Sequence, residues 1–483
     1  MGNMKHITKN YRPFFHFSTP KGWCNDPNGF SFYKGKIHLF YQYNPADTKW
    51  GPMHWGHATS KNMLKWKNKK IALFPDKTYD NGGCFSGSAI EHDGKHYLIY
   101  TGVQKITDKD SLQQQCLAFG NGRKYSKFQK NPVITAENIP FDFDITNFRD
   151  PKVFQINGYY FLICMLQQKN GKSALALLRS ENLQNWQFLN IIDKCTENIS
   201  RLWECPNFFT LNNKDVILIS AKDMTENPEL NFFNGDNNLY ITGTLDSLFN
   251  FQRDTRPENN FTAAQIDYGI DFYAQQTCLL PDQRRILIAW MQNWESPITP
   301  SHYKWTGMMT LPREISLYKD RLIQKPIREF EKLKKSLLQG KLSNCEFKLI
   351  QEESKRTFEL ILEIPHEYIY SKGISEITLN ISSNDKEYVT LSIELCKMKI
   401  TFDRSHTKYG GQTPKRTVII PPLLSLETDD LYVHIIGDYN SLETYLNKGE
   451  FWFTNAYFMD SPESRISLES SLQCNVNFSF YEL

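Results

Sequence analysis

The sequence predicts an all-β fold, a five-bladed β-propeller followed by a C-terminal β-sandwich. Three observations carry that prediction. A short apolar strand returns five times, its starts about 60 to 70 residues apart. A second recurrence, ending in an aromatic, sits behind four of the five. The rhythm then stops near residue 320, and short alternating strands continue without the repeat. A chain of 483 residues exceeds one ordinary core, and its 33 Phe, 24 Tyr and 10 Trp suit pleated surfaces on which flat rings pack.

The recurring strands lie at residues 37–42, 96–101, 159–164, 215–220 and 285–290. Each follows a turn signal: Lys34-Gly35-Lys36, Asp93-Gly94-Lys95, Asn157-Gly158, Asn212-Asn213 and Asp282-Gln283. Such pairs tolerate the positive φ of tight hairpins, so each strand reads as one arm of a hairpin. Behind them, segments 60–66, 122–128, 180–186 and 245–251 end in Trp66, Phe128, Trp186 and Phe251, with a large apolar residue three places earlier. The unit is therefore an all-β module of about 60 residues. Five such sheets in radial array protect their edges by repetition.

The propeller is expected over residues 1–325. Residues 326–339 follow a proline with helical apolar spacing, which predicts a linking helix within 326–344. The sandwich is expected over 345–483, with strands at 357–364, 374–381, 388–394, 417–420, 432–436 and 451–454.

Composition excludes several classes. A net charge of +3, from 56 basic and 53 acidic residues, is too balanced for a protein built to hold nucleic acid. No apolar run approaches the ~18 residues that cross a bilayer. The first ten residues lack the apolar core of a signal peptide, so a cytoplasmic enzyme is the expectation. Ten scattered cysteines form no C-x-x-C pair and no Cys/His cluster of zinc spacing, so free thiols are expected and no metal. The oligomeric state is not legible, and a homodimer stays open.

In a propeller the innermost strand of each blade lines the axis. Residues about 10 to 14 places before each recurring strand should therefore converge there. They are Asn25-Asp26, Phe85-Ser86, Arg149-Asp150, Glu204-Cys205 and Asp271-Phe272-Tyr273. Carboxylates facing a channel are costly unless they are paired or take part in chemistry. Glycoside hydrolysis is chemistry that needs them, since one carboxyl group attacks the anomeric carbon and a second protonates the leaving oxygen. A third can hold sugar hydroxyls.

These residues sit in recognisable boxes. Trp23-Cys24-Asn25-Asp26-Pro27-Asn28-Gly29 resembles the Trp-Met-Asn-Asp-Pro-Asn-Gly box of glycoside hydrolase family 32. Phe148-Arg149-Asp150-Pro151 resembles its Arg-Asp-Pro box, and Trp203-Glu204-Cys205-Pro206 its Glu-Cys box. Further similar segments are 40–45, 50–58, 85–88, 271–277, 289–291 and 305–314. The similarity spans nearly the whole chain and is weakest in the sandwich. Cys24 departs from it, standing where the family usually has Met.

The resemblance implies a β-fructofuranosidase, closest in look to bacterial sucrose-6-phosphate hydrolases. It implies Asp26 as nucleophile, Glu204 as general acid/base and Asp150 as transition-state stabiliser. It further implies sugar-binding roles for Trp23, Asn25, Gln42, Trp50, Phe85, Ser86, Arg149 and Trp290, with no cofactor. Arg149 is expected to orient Asp150, and burial beside other acids to raise the pKa of Glu204. Trp55 and Trp66 read as core. Lys49, His54, His57 and Lys222 are candidates for a substrate phosphate. Sucrose, sucrose 6-phosphate and short fructo-oligosaccharides all stay open as substrates. Fructosyl transfer, a fructan exo-hydrolase, an inverting arabinoside hydrolase and a non-catalytic sugar-binding propeller are the competing readings.

Overall fold

A computed structural model of the chain describes residues 11–195, 200–255, 262–343, 346–354, 356–369, 376–423, 429–461, 463–471 and 475–483. Five antiparallel sheets follow one another in sequence order. They begin with the innermost strands Gly22–Tyr33, Gly83–His92, Phe143–Ile156, Leu202–Leu211 and Tyr273–Leu279. Each recurring segment read from the sequence lies within the second strand of its blade: Lys36–Asn44, Lys95–Lys105, Tyr159–Gln168, Lys214–Met224 and Arg285–Trp290.

The hairpin turns explain the register. Lys34 and Gly35, Asp93 and Gly94, Asn157 and Gly158, and Asn212 and Asn213 all have positive φ, as does Gln283. Two successive positive φ values make a turn whose twist matches that of the flanking strands. The second recurrence marks the approach to the outermost strand. Trp66 and Phe251 open the short strands Trp66–Asn68 and Phe251–Arg253, and Trp186 precedes Gln187–Lys194.

The ring closes through a short strand, Trp305–Thr306. It comes from the chain of the fifth blade but pairs in parallel with Gly22–Trp23 of the first. Between blades, apolar side chains of adjacent sheets pack together, as where Phe154, Phe161 and Phe208 meet.

Two six-stranded sheets form the C-terminal sandwich, around a core that includes Phe358, Leu391, Phe402, Val433 and Phe453. Strands at Phe358–Ile364, Glu376–Asn384, Glu387–Glu394, Lys415–Ile419, Leu431–Asp438 and Phe451–Ala456 match the sequence expectation. Residues 374 and 375 of one expected strand lie outside the described residues, as do Cys345 and Cys474.

The expected linking helix is not an α-helix. Arg328–Leu333 is a six-residue 3-10 turn, and Leu337–Leu342 is an edge strand paired to Val476–Glu482. Ile327, Phe330 and Leu333 recur every third residue, which a helix of three residues per turn places on one face. Ile327 and Phe330 are fully buried on the propeller, so that spacing decides the local geometry.

The two halves are locked by buried ions. Arg313 reaches Asp267 and Glu443, both at 2.9 Å, and Arg404 of the sandwich reaches Asp271 at 2.6 Å. Asp271 was one of the residues expected near the axis. It points instead into this junction.

Candidate active site

Every innermost strand is irregular at one level. Register shifts fall between Cys24 and Pro27, Phe85 and Gly87, Arg149 and Lys152, Glu204 and Asn207, and Tyr273 and Gln276. A bulge bends its strand and re-aims the side chains beside it. Within three of these bulges Asp150, Cys205 and Ala274 take left-handed φ values of 63°, 50° and 54°. Such values are uncommon for residues with a Cβ and are held here by the surrounding sheets. The bulges put Asn25, Asp26, Ser86, Arg149, Asp150, Glu204 and Tyr273 around one cavity of about 370 Å³ at the end of the channel.

The three acids have different surroundings. Asp26 accepts from Asn25 Nδ2 at 2.9 Å and from Ser86 Oγ at 2.5 Å, and Cys205 Sγ lies 3.6 Å away. Asn25 is itself fixed by the Trp23 indole N–H at 2.7 Å. Burial raises the Asp26 pKa, and the two hydrogen bonds oppose it.

Asp150 accepts from the backbone N–H of Cys205 at 2.8 Å. Burial, together with the neighbouring Glu204 and Asp26, pushes its pKa up to about 7 against the pull of Arg149.

Glu204 is held from both sides. Arg149 donates to Oε1 from NH2 at 2.8 Å and from Nε at 3.2 Å, while the Tyr273 hydroxyl donates to Oε2 at 2.5 Å. Lys222 Nζ stands 3.9 Å from the same oxygen. Burial would raise this carboxyl, but Arg149, Lys222 and Tyr273 outweigh it and its pKa is lowered.

Two expectations are corrected here. Arg149 grips Glu204 and Asn147 rather than orienting Asp150, and the proton affinity of Glu204 in the empty cavity is depressed. Both follow from the Arg149 guanidinium, whose two donors on Oε1 favour ionised Glu204.

The remaining expected residues divide into two groups. Asn25, Gln42, Trp50, Phe85, Ser86 and Arg149 line the cavity with the three acids. Trp50 stands half exposed at the rim, edge-on to Phe85 at 6.0 Å. Trp23 and Trp290 do not line it. They are buried behind the wall, where they pack on each other at 5.7 Å and on Trp294 at 5.7 and 4.7 Å. Trp294 is the indole that reaches the cavity. Trp55 is fully buried, and Trp66 packs on Phe17.

Among the phosphate candidates only Lys222 lines the cavity. His57 is buried against His38, and His54 faces the Pro52 carbonyl.

The sequence of the chain matches "Glycosyl hydrolases family 32 N-terminal domain" over residues 16–326 and "Glycosyl hydrolases family 32 C terminal" over residues 320–481. The chain belongs to glycoside hydrolase family 32. It is 33% identical over 459 residues to a sucrose-6-phosphate hydrolase of Zymomonas mobilis, covering 91% of this chain and 85% of that protein. It is 38% identical over 332 residues to a raffinose invertase of Escherichia coli, covering 67% and 66% of the two chains. Among solved structures, a family 32 β-fructofuranosidase of Bombyx mori superposes with a TM-score of 0.84 at 31% identity. That match covers 98% of this chain and 94% of the other.

As a family 32 glycosidase the chain carries three cavity residues that no motif in the sequence marks as a site. Gln113 and Asn147 accept from the Arg149 guanidinium at 3.4 and 2.7 Å, and Trp294 lines the cavity. Asn147 is two residues from the Arg-Asp-Pro box, so its alternation along the strand was a usable signal. Gln113 comes from a third strand of the second blade and Trp294 from a loop, where no repeat marks them.

Proposed function

We propose that the enzyme hydrolyses terminal β-D-fructofuranosyl bonds of sucrose, sucrose 6-phosphate or short fructo-oligosaccharides with retention of configuration. One observation carries this reading: Asp26, Asp150 and Glu204, far apart in sequence, share one cavity small enough for a terminal sugar. Family membership, and a silkworm relative whose variant was solved in complex with sucrose, support a small fructoside as substrate.

Asp26, anchored by Asn25 and Ser86, attacks C2 of the fructosyl unit, and Glu204 gives its proton to the departing oxygen. Ionised Glu204 then takes a proton from water, which releases fructose and frees Asp26. Burial and the neighbouring acids raise the Asp150 carboxyl, while Arg149, Lys222 and Tyr273 lower that of Glu204. Fructosyl hydroxyls that donate to Asp150 stabilise its ionised form, and sugar in the cavity removes water from Glu204. Substrate binding thus raises the proton affinity of Glu204 relative to that of Asp150. Arg149 and Tyr273 hold Glu204 in place for both half-reactions.

The division into a catalytic propeller over residues 1–325 and a sandwich over 345–483 belongs to this proposal. So does a cytoplasmic address, which the eight free cysteines among the described residues support. No helix of the described residues is long and apolar enough to cross a membrane.

The test compares kcat/KM for sucrose, sucrose 6-phosphate, 1-kestose and inulin, and follows the anomer first released by NMR. Retained configuration and a preference for a short substrate are expected. Inversion would refute the double displacement, and oligosaccharide growth in place of free fructose would favour transfer. Glu204→Ala should lose far less activity on a fructoside with a very acidic leaving group, because protonation is then unneeded.

A further inference from the structure

The channel has a second chamber. The same five innermost strands that carry the acids continue past their bulges. Their downstream halves line a cavity of about 440 Å³ at the opposite mouth. A belt of side chains separates the two chambers. Asn207 donates to the Gln275 carbonyl at 2.8 Å, Gln276 to the Gly87 carbonyl at 2.7 Å, and Ser88 to the Pro151 carbonyl at 2.7 Å. Nothing in the fructoside chemistry uses the far chamber.

Five phenylalanines stand in its walls, yet they hold two cations. Lys152 is 8% exposed, and its Nζ donates to the Thr277 carbonyl at 2.8 Å. Arg285 lies over the Phe209 ring at 4.4 Å and reaches the Thr277 hydroxyl at 3.3 Å, while its buried Nε has no hydrogen-bond partner. Neither cation forms an ion pair with a carboxylate among the described residues. Glu91, the one acid lining the chamber, is an exposed residue that accepts from its own turn at Gly94 N. Cys278 is the other ionisable neighbour, and burial pushes its thiol up to about 11, so it supplies no negative charge at neutral pH.

A buried ammonium beside a partly buried guanidinium, without a counter-ion, is expensive, and each charge worsens the other. Burial and the nearby Arg285 push Lys152 down to about 7. At the junction of the two halves, by contrast, buried Arg313 is matched by Asp267 and Glu443. A fork-shaped guanidinium beside an ammonium, in a chamber open at one end, is the donor set that oxyanions fit.

We propose that the far chamber is a binding site for a small oxyanion of the phosphate class, held between Lys152 and Arg285. The site is independent of the fructoside reading, because its walls share no residue with the catalytic cavity.

The test measures thermal unfolding and calorimetric binding of the full chain with inorganic phosphate at constant ionic strength, with sulfate and chloride as separate arms. Phosphate should raise the unfolding temperature saturably, and chloride at equal ionic strength should not. Above about pH 7 the binding of sulfate, which does not itself titrate there, should take up a proton, because the anion restores the charge on Lys152, and the uptake should vanish near pH 6. Lys152→Met and Arg285→Gln should each weaken phosphate binding at least about tenfold while sucrose turnover stays at the wild-type rate. Absence of phosphate binding to the wild type, or equal binding by both variants, overturns the proposal. Should either variant fail to fold, proton uptake by the wild type decides alone.

Discussion

Replacing Tyr273 by Phe removes a single hydroxyl whose partner is known. It donates at 2.5 Å to Glu204 Oε2, in a buried setting where hydrogen bonds to ionised groups contribute about 1.5–3 kcal/mol. The bond exists only to stabilise the ionised acid, so its loss favours the protonated form. At 1.36 kcal/mol per unit, the Glu204 pKa should rise by about 1 to 2 units. Arg149 and Lys222 keep it from rising further. The ring itself stays packed in the cluster with Trp23 and Trp290, so the fold should hold. The assay is kcat at saturating sucrose across about pH 4 to 9, which reports the enzyme–substrate complex in which Glu204 carries the proton. The alkaline limb, set by loss of the Glu204 proton, should move up by that amount, and the acid limb, set by Asp26, should stay. An alkaline limb that does not move, or moves down, would refute the assignment of Glu204 as the acid under the control of Tyr273.

Three further outcomes follow from the buried charges. Asp150 has a folded pKa raised to about 7, so it favours the fold below its unfolded value near 3.8, and that contribution is lost as pH rises through about 7. Asp150→Asn should therefore abolish turnover yet raise the unfolding temperature at pH 8 and not at pH 4, with of order 4 kcal/mol as the upper bound. Arg313→Met leaves Asp267 buried without its cation and Glu443 with His16 alone, and denaturant titration should show a loss of about 3–5 kcal/mol. His16 bonds Asp438 at 2.8 Å and Glu443 at 2.7 Å, and these carboxylates raise its pKa to about 9 against the effect of burial. Its stabilisation is full below about pH 6.5 and is lost as pH rises through about 9. Unfolding midpoints should fall across that window in the wild type and stay nearly flat in His16→Gln.

The turn pairs at Lys34-Gly35, Asp93-Gly94, Asn157-Gly158 and Asn212-Asn213 are local devices, and each made its hairpin legible without any partner. The aromatic recurrence at Trp66, Phe128, Trp186 and Phe251 showed the repeat for the same reason. Half of the sandwich strands escaped notice, including Lys399–Asp403 and Ser441–Leu446, because they carry no repeat and one is buried throughout and shows no alternation. The segment at Ile327, Phe330 and Leu333 misled because a spacing of three serves a 3-10 turn as well as a helix.

The chain by itself determined the all-β class, the five modules and the boxes holding Asp26, Asp150 and Glu204, since periodicity and motif are properties of neighbouring residues. Only the tertiary structure decided that Arg149 serves Glu204, that Asp271 serves the sandwich, and that Trp294 rather than Trp290 faces the cavity. The physical reason lies in the bulges. A single inserted residue turns a side chain to the other face of its strand, and the groups it then meets come from other blades, at sequence distances over which no local pattern extends.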